Sequence, residues 1–350
     1  MPSNTPTQKD IAEAARVSGS TVSRALRNDP TIPSETRERI MRVARDLGYR
    51  PNPFVNANML NVRRPNRKHT KAILAYITPI PLNEYFAIVP QREISYNGAC
   101  KRADELGFQV DPVPIKENGV YLSSRRCTEI LLARGVQGIV FAMFENPYVR
   151  FHLDWDRFAV ATHDFRMVQP RFSEAGSNHY LNTQKILRNL NHLRYKRIGL
   201  AIPARADRYT QGAFSAAFCL YRDTQPKVNQ IARFTPSALK DWNRENFLSW
   251  YKKAKPDAII CISDDILSWL QDAGVSVPQD VGLASLAWER EKEPAGWSGI
   301  YQQHEMVGAA AVQLVVDQLM LNERGKPRYP KTILIDGEWV PGSTLCQQGL

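Results

Sequence analysis

Along residues 7–50 the apolar positions recur at helical spacing in three short runs, broken by polar turns. Thr7 stands three residues before Asp10 and opens the first run. At that spacing each side chain satisfies backbone donors at a helix start, so a helix is predicted over about Gln8–Ala15. The turn Arg16-Val17-Ser18 follows, with Ser18 placed to cap a second helix from Gly19 to about Leu26. Val22, Ala25 and Leu26 fall on one face of that helix, while Gly19, Ser20, Ser23 and Arg24 fall on the other. A small apolar stripe thus carries a polar edge free of bulky side chains, a shape that fits a major groove. Pro33-Ser34-Glu35 starts a third helix, with Ile40, Val43, Ala44 and Leu47 inward and Gly48 as its stop. One small helical core is expected.

From Lys71 onward the pattern changes to short apolar runs alternating with longer amphipathic segments, which predicts parallel sheets covered by helices. Strands are expected at 72–78, 108–115, 138–142, 158–163, 197–203, 258–263, 281–286, 299–302 and 332–335. Helices are expected at 93–106, 125–134, 181–193, 211–221 and 305–321. This α/β body, 71–350, is predicted to form two doubly wound subdomains with a cleft between them, the chain first crossing over near 172–180. Between the helical head (1–50) and the body lies a segment, 51–70, combining a short helix started by Asn52 and Pro53 with a basic run from Arg63 to Lys71. A helix of about ten residues is marginal alone in water, so order is expected only on binding. In such bodies ligands bind at the carboxyl ends of strands. The candidates are Asn83, Asp164, Arg208, Asp264, Trp288 and Gln302. Plainer roles stand beside three of these: a surface ion pair for Arg208, a helix cap for Asp264 and core packing for Trp288.

Charge sharpens the division. Residues 1–71 hold fourteen Lys and Arg against six Asp and Glu, which is eight of the chain's net +11. A positive field confined to one fifth of the chain suits phosphate neutralisation and counterion release. The five cysteines, at 100, 127, 219, 261 and 346, are scattered and lack a C-x-x-C pair, so neither a disulfide framework nor a thiolate metal site is expected. No apolar run approaches the eighteen or so residues of a membrane span and the N-terminus is polar, which predicts a soluble cytoplasmic protein with no membrane partner. Enzyme signatures fail: there is no H-E-x-x-H, Walker loop, G-x-G-x-x-G after a strand or G-x-S-x-G elbow, and Gly296-Trp297-Ser298-Gly299 is one residue short of the last. The six histidines contain no i, i+4 pair. No catalytic residue, metal ligand or cofactor is expected, and an enzyme of unidentified type is the rival class.

The head resembles the lactose-repressor (LacI/GalR) family of bacterial transcription regulators. The residues that carry the resemblance are Asp10-Ile11-Ala12, Ala15, Val17-Ser18, Thr21-Val22-Ser23-Arg24, Leu26, Thr36-Arg37, Arg39-Ile40, Ala44, Leu47-Gly48-Tyr49 and Pro51-Asn52. Looser matches run through Pro256-Asp257-Ala258, Val277-Pro278, Asp280-Val281 and Gly299 with Gln302. The resemblance implies a helix-turn-helix head, a periplasmic-binding-protein-like body, and a homodimeric repressor that binds a pseudo-palindromic DNA operator under control of a small-molecule effector. It implies DNA contacts from Thr7, Ser18, Gly19, Ser20, Thr21, Ser23, Arg24, Asn28 and Tyr49, with Arg24 reading a base, Ser18 and Ser23 holding phosphates, and Gly19 and Ser20 at positions that vary with the operator. It further implies paired hinge helices that push a leucine into the minor groove. Asn58 stands where that leucine is expected, leaving Met59 or Leu60 as the wedge; a flexible basic linker is the alternative. The body departs too. Ser285-Leu286-Ala287-Trp288 replaces a G-F-D-D string that supplies a sugar-hydroxyl acceptor, and Arg208 precedes Gly212 by four residues instead of three. A body that only dimerises, with no effector, is therefore a second expectation. The apolar helix 306–321 and the first subdomain are expected to supply the dimer surface.

Overall fold

The structure, a computed structural model, describes residues 6–26, 29, 31–49, 71–117, 120–144, 152–164 and 170–349. The head is built from α1 (Gln8–Ala14), α2 (Gly19–Leu26) and α3 (Ser34–Asp46). Its first turn carries the capping box: the Asp10 carboxylate accepts from the Thr7 N–H at 2.6 Å, and Thr7 Oγ1 accepts from the Asp10 N–H at 3.4 Å. Ile11, Ala12, Ala15, Val22, Ala25, Ile32, Ile40 and Ala44 are buried against one another. Burying Ile11, Val22 and Ile40 contributes on the order of 1.5–3 kcal/mol each. Gly48 ends α3 at φ +69°, which lets the Tyr49 N–H reach back to Ala44 O at 2.9 Å, a left-handed turn that glycine adopts without strain. Leu47, expected inward, is 40% exposed at the C-cap of α3, while Tyr49, just past Gly48, packs against the core. The segment 51–70, with Asn58, Met59 and Leu60, lies outside the described residues.

In the body the first subdomain opens with β1 (Ala72–Thr78), α4 (Leu82–Ile88), α5 (Gln91–Glu105), β2 (Phe108–Pro114), a hairpin of β3 (Lys116–Glu117) and β4 (Val120–Tyr121), α6 (Ser124–Ala133), β5 (Val136–Phe141), β6 (Ala159–His163) and β7 (Ser173–Ser177). The second follows with α7 (His179–His192), β8 (Ile198–Ala201), α8 (Ala204–Tyr209), α9 (Ala213–Asp223), α10 (Arg244–Ala254), β9 (Ala258–Cys261), α11 (Asp265–Gln271), β10 (Gly282–Trp288) and β11 (Ser298–Tyr301). The chain then returns to the first subdomain for α12 (His304–Leu321) and β12 (Thr332–Ile335), and crosses again to β13 (Glu338–Val340). The first sheet has the order β12-β7-β6-β5-β1-β2, parallel throughout. The second has the order β13-β11-β10-β9-β8, parallel except for β13.

β7, Ser-Glu-Ala-Gly-Ser, has no apolar run and escapes the periodicity, yet all five residues are buried between β6 and β12. α12 packs over β5, β6 and β7 and against α5. Two glycines set that helix contact: a Cβ on Gly308 would overlap Ser95 O, and one on Gly98 would overlap Glu305 O. Val307, Ala311, Val312, Leu314, Val315 and Val316 of α12 are all buried within the subunit. Any part of the helix in the expected dimer surface would be its outward residues and not this buried stripe. Its apolar residues already cover its own sheet, and its exposed large side chains, Met306, Met320 and Leu321, stand at the two ends.

The three crossings are hydrogen-bonded into one hinge. Ser177 Oγ donates to Gln302 O (2.9 Å), the Asn178 N–H donates to Ile335 O (2.8 Å) and the Gly337 N–H donates to Asn182 Oδ1 (2.8 Å). The first crossing follows Ser177.

Candidate functional site

The head presents the edge that its sequence pattern requires. Val22 and Ala25 fix α2 in the core, while Ser18, Gly19, Ser20 and Arg24 are exposed and Thr21 and Ser23 are half-buried. Ser18 Oγ accepts from the Thr21 N–H at 3.2 Å and shares hydrogen bonds with the hydroxyls of Ser20 and Thr21, each at 2.8 Å. The start of α2 thus carries an exposed hydroxyl cluster beside the helix N-terminus, an arrangement suited to a phosphate. Thr7 is exposed at the start of α1, and Tyr49, half-buried, accepts from Gln8 Nε2 at 3.3 Å, so the ends of α1 and α3 lie together. Asp10 is held below the usual carboxylate range by the backbone hydrogen bond from Thr7, then by the Thr7 hydroxyl. Asn28 lies outside the described residues. A residue given no role by sequence reasoning, Arg37, braces the turn into α3: its guanidinium donates to Asp29 O at 3.2 Å and to Ile32 O at 2.9 Å. The signal was present in the Thr36-Arg37 motif, but nothing in spacing alone says that this arginine faces inward.

The cleft candidates separate into two groups. Asn83 is exposed in the first turn of α4, Arg208 is exposed on α8, and Asp164 follows β6 at φ +68° with its N–H donating to Ala175 O at 2.7 Å. These three sit at strand carboxyl ends. The others are engaged by the protein itself. Asp264 pairs with Lys292 Nζ at 2.7 Å, and Lys292 also donates to Ser285 Oγ at 3.2 Å. Trp288 is 7% exposed; its indole donates to Trp297 O at 2.9 Å and packs edge-on against Tyr301. It is core, because its neighbours Leu283 and Trp297 close around it. Gln302 is buried and donates to Leu286 O at 2.7 Å, inside the hinge. Sequence reasoning missed Lys292, since an amine seven residues beyond Ser285 carries no periodic signal. Beneath it Cys261 is wholly buried, and burial pushes its thiol up to about 12 against the opposing pull of Lys292.

The profile for bacterial regulatory proteins of the lacI family matches residues 7–52, the span that holds α1, α2 and α3. A profile for a periplasmic binding protein-like domain matches residues 187–345. The chain is a LacI-family head joined to a periplasmic-binding-protein-like body. Similarity to the HTH-type transcriptional regulator DegA of Bacillus subtilis is 33% identity over 138 residues, 38% of this chain and 35% of that protein. That match spans about a third of the relative's length. Two solved LacI-type folds cover almost the whole chain. The transcriptional regulator CelR in complex with cellobiose superimposes with a TM-score of 0.55 at 16% identity, over 97% of this chain and 99% of that one. The lac repressor dimer bound to operator and the anti-inducer ONPF gives 0.54 at 18%, over 98% and 100%. The LacI family is one of regulators, not enzymes. Among the described residues no helix is long and apolar enough to cross a membrane.

Proposed function

We propose that the protein is a sequence-specific DNA-binding transcriptional regulator, a repressor that acts as a homodimer on a pseudo-palindromic operator. The observation that carries this is the α2 edge: short polar side chains and one arginine stand exposed on a helix whose opposite face is locked in the head core. A helix so held enters a major groove as a rigid body, and an arginine there pairs bidentately with guanine. Arg24 takes that role; Ser18, Thr21, Ser23, Thr7 and Tyr49 hold the backbone. Two heads on a two-fold axis read two half-sites, which doubles the contacts. The lac repressor dimer of similar fold was solved on its operator.

Control by a small molecule in the body cleft completes the proposal, and the similar CelR fold with cellobiose supports a sugar. Exposed Asn83 and Arg208, together with Asp164, are the side chains proposed to meet it. A ligand that favours one subdomain angle shifts DNA affinity by its differential binding alone, typically 1–3 kcal/mol. A second reading has its own support. Trp288 and Gln302 are bonded within the protein and Asp264 is ion-paired, which favours a body that only dimerises.

Selection of duplexes from a random pool by the full-length protein tests the first claim. A palindromic consensus with two half-sites is expected, and recovery of unrelated sequences would remove it. Thermal shift against neutral and acidic sugars then separates a live cleft from a dimerising body.

A further inference from the structure

A cationic run of the body lies between α12 and β12. Arg324, Lys326, Arg328 and Lys331 fall within eight residues, with Tyr329 among them at 74% exposure. The loop is stapled across the amino-terminal ends of the first sheet. Arg324 Nη1 donates to Gln137 O at 2.9 Å, beneath β5. The Gly325 N–H donates to Phe158 O at 2.9 Å, beneath β6. The Lys331 N–H donates to Ser173 Oγ at 3.1 Å, and Lys331 O accepts from the Glu174 N–H at 2.9 Å, at β7. Because all six strands are parallel, these anchors share one end of the sheet with Ala72, where the chain enters from the head. Neighbouring strands are about 4.8 Å apart, so the loop crosses that end within roughly 5–15 Å of the entry point.

Its charges are outward. Lys326, Arg328 and Lys331 are exposed, and none of them is in an ion pair among the described residues. Arg328 stacks over the Tyr329 ring at 5.2 Å. The loop walls a hollow of about 620 Å³ whose other side carries Asp156, Asp317 and Glu323. Those acids stand toward α12 and the turn before β6, while the stretch 326–331 contains three cations and no acid.

We infer that this loop is a second DNA contact: Lys326, Arg328 and Lys331 grip the phosphates flanking the site that the head reads. The inference rests on the regulator reading above. The partner is the duplex backbone, because flexible lysines and a tyrosine-backed arginine on a surface without a groove-entering helix recognise phosphate charge and not base edges. The loop would act in both protomers and add affinity without sequence preference.

The test uses full-length protein and the selected operator, embedded in a short duplex of about 20 base pairs, enough for two half-sites, and in one of about 40. Wild type should bind the long duplex roughly tenfold more tightly, with a log–log salt slope steeper by about 0.9 per added phosphate contact. The variant K326Q/R328Q/K331Q should lose that gain and bind the short duplex as wild type does. These three side chains support no other part of the fold, and thermal melting checks that. A control, K240Q/K252Q/K253Q, removes equal charge from the second subdomain and should behave as wild type. If the loop variant keeps the long-duplex gain, or the control loses as much, the contact is refuted while operator reading stands. Failure of wild type to select any operator removes the regulator reading and the loop's role together.

Discussion

The α2 edge and the body cleft were both expected from the same kind of pattern, but only one is assembled locally. Every residue of the α2 edge lies within seven positions of Ser18 on a single helix, so the 3.6-residue period that buries Val22 and Ala25 also exposes Gly19, Ser20 and Arg24. The cleft candidates come from the ends of six strands far apart in sequence. There a side chain's period says which face it leaves, not which partner it finds. Trp288 and Gln302 both sit at the right strand ends and both turned to neighbours: Trp297 O for one, Leu286 O for the other. The lesson is that placement at a strand terminus identifies a location, while availability depends on whether an unpaired carbonyl lies nearer than the ligand.

That contrast can be broken from the body side first. Gly308→Ala should destabilise by about 3 kcal/mol, the upper part of the overpacking range, because the obstruction is the Ser95 backbone and not a side chain that can move. Calorimetry should show the body transition falling while the head retains its own helical signal; an unchanged melting temperature would mean that α12 and α5 have room to separate. Arg24→Ala acts at the other pole, costing about 1–3 kcal/mol on the selected operator and little on random duplex. Equal loss on both would assign Arg24 to phosphate. Gln302→Leu sharpens the cleft side: it strands the buried Leu286 carbonyl, so unfolding in urea should be easier by about 1–2 kcal/mol. Asn83→Ala, at an exposed position, should stay within about 0.5 kcal/mol. Were Gln302 a ligand residue alone, both variants would melt like the parent.

The smallest effect belongs to the head's first turn. Thr7→Ala should cost about 0.5–1 kcal/mol through the lost cap. The same box is pH-dependent. Asp10 is depressed by its bonds from Thr7, so its contribution is present above the ordinary value of 3.8 and disappears as pH falls through the lowered one. Acid titration of Thr7→Ala should lose only the hydroxyl's part of that sensitivity, since the N–H of residue 7 still donates to Asp10, whereas Asp10→Asn should lack it altogether.

Legibility follows the same division. The helices of the head, the strands β1 and β12, and the start of the first crossing were readable because apolar spacing is imposed by one nearby core. β7 was not, since Ser173 and Glu174 are bonded to Lys331 and Thr332, 158 residues later, and Ser177 to Gln302 O, 125 residues later. β13, three residues long and antiparallel to β11, offers too little pattern to register. Leu47 was misplaced because it is the C-cap of α3, and Tyr49, beyond the left-handed turn at Gly48, packs against the core. On the site, Ser18 and Arg24 were legible from sequence, and the ion pair of Lys292 with Asp264 was not, because the two residues come from different strand ends.

The returning path of α12 and β12 has a bearing on how the chain is made. During synthesis the first sheet emerges as β1, β2, β5, β6 and β7, with Leu74, Tyr76 and Val140 on a face that α4 and α5 cover in part and only α12 completes. More than 120 residues, including the whole second sheet's parallel core, must leave the ribosome before that cover arrives. The nascent first subdomain therefore carries an open apolar face and an unpaired β7 edge through most of translation, the two features that invite aggregation. Chain elongation past residue 335 is the step that ends this exposure, so a stall or truncation between the two sheets should be far more harmful to solubility than one inside the last twelve residues.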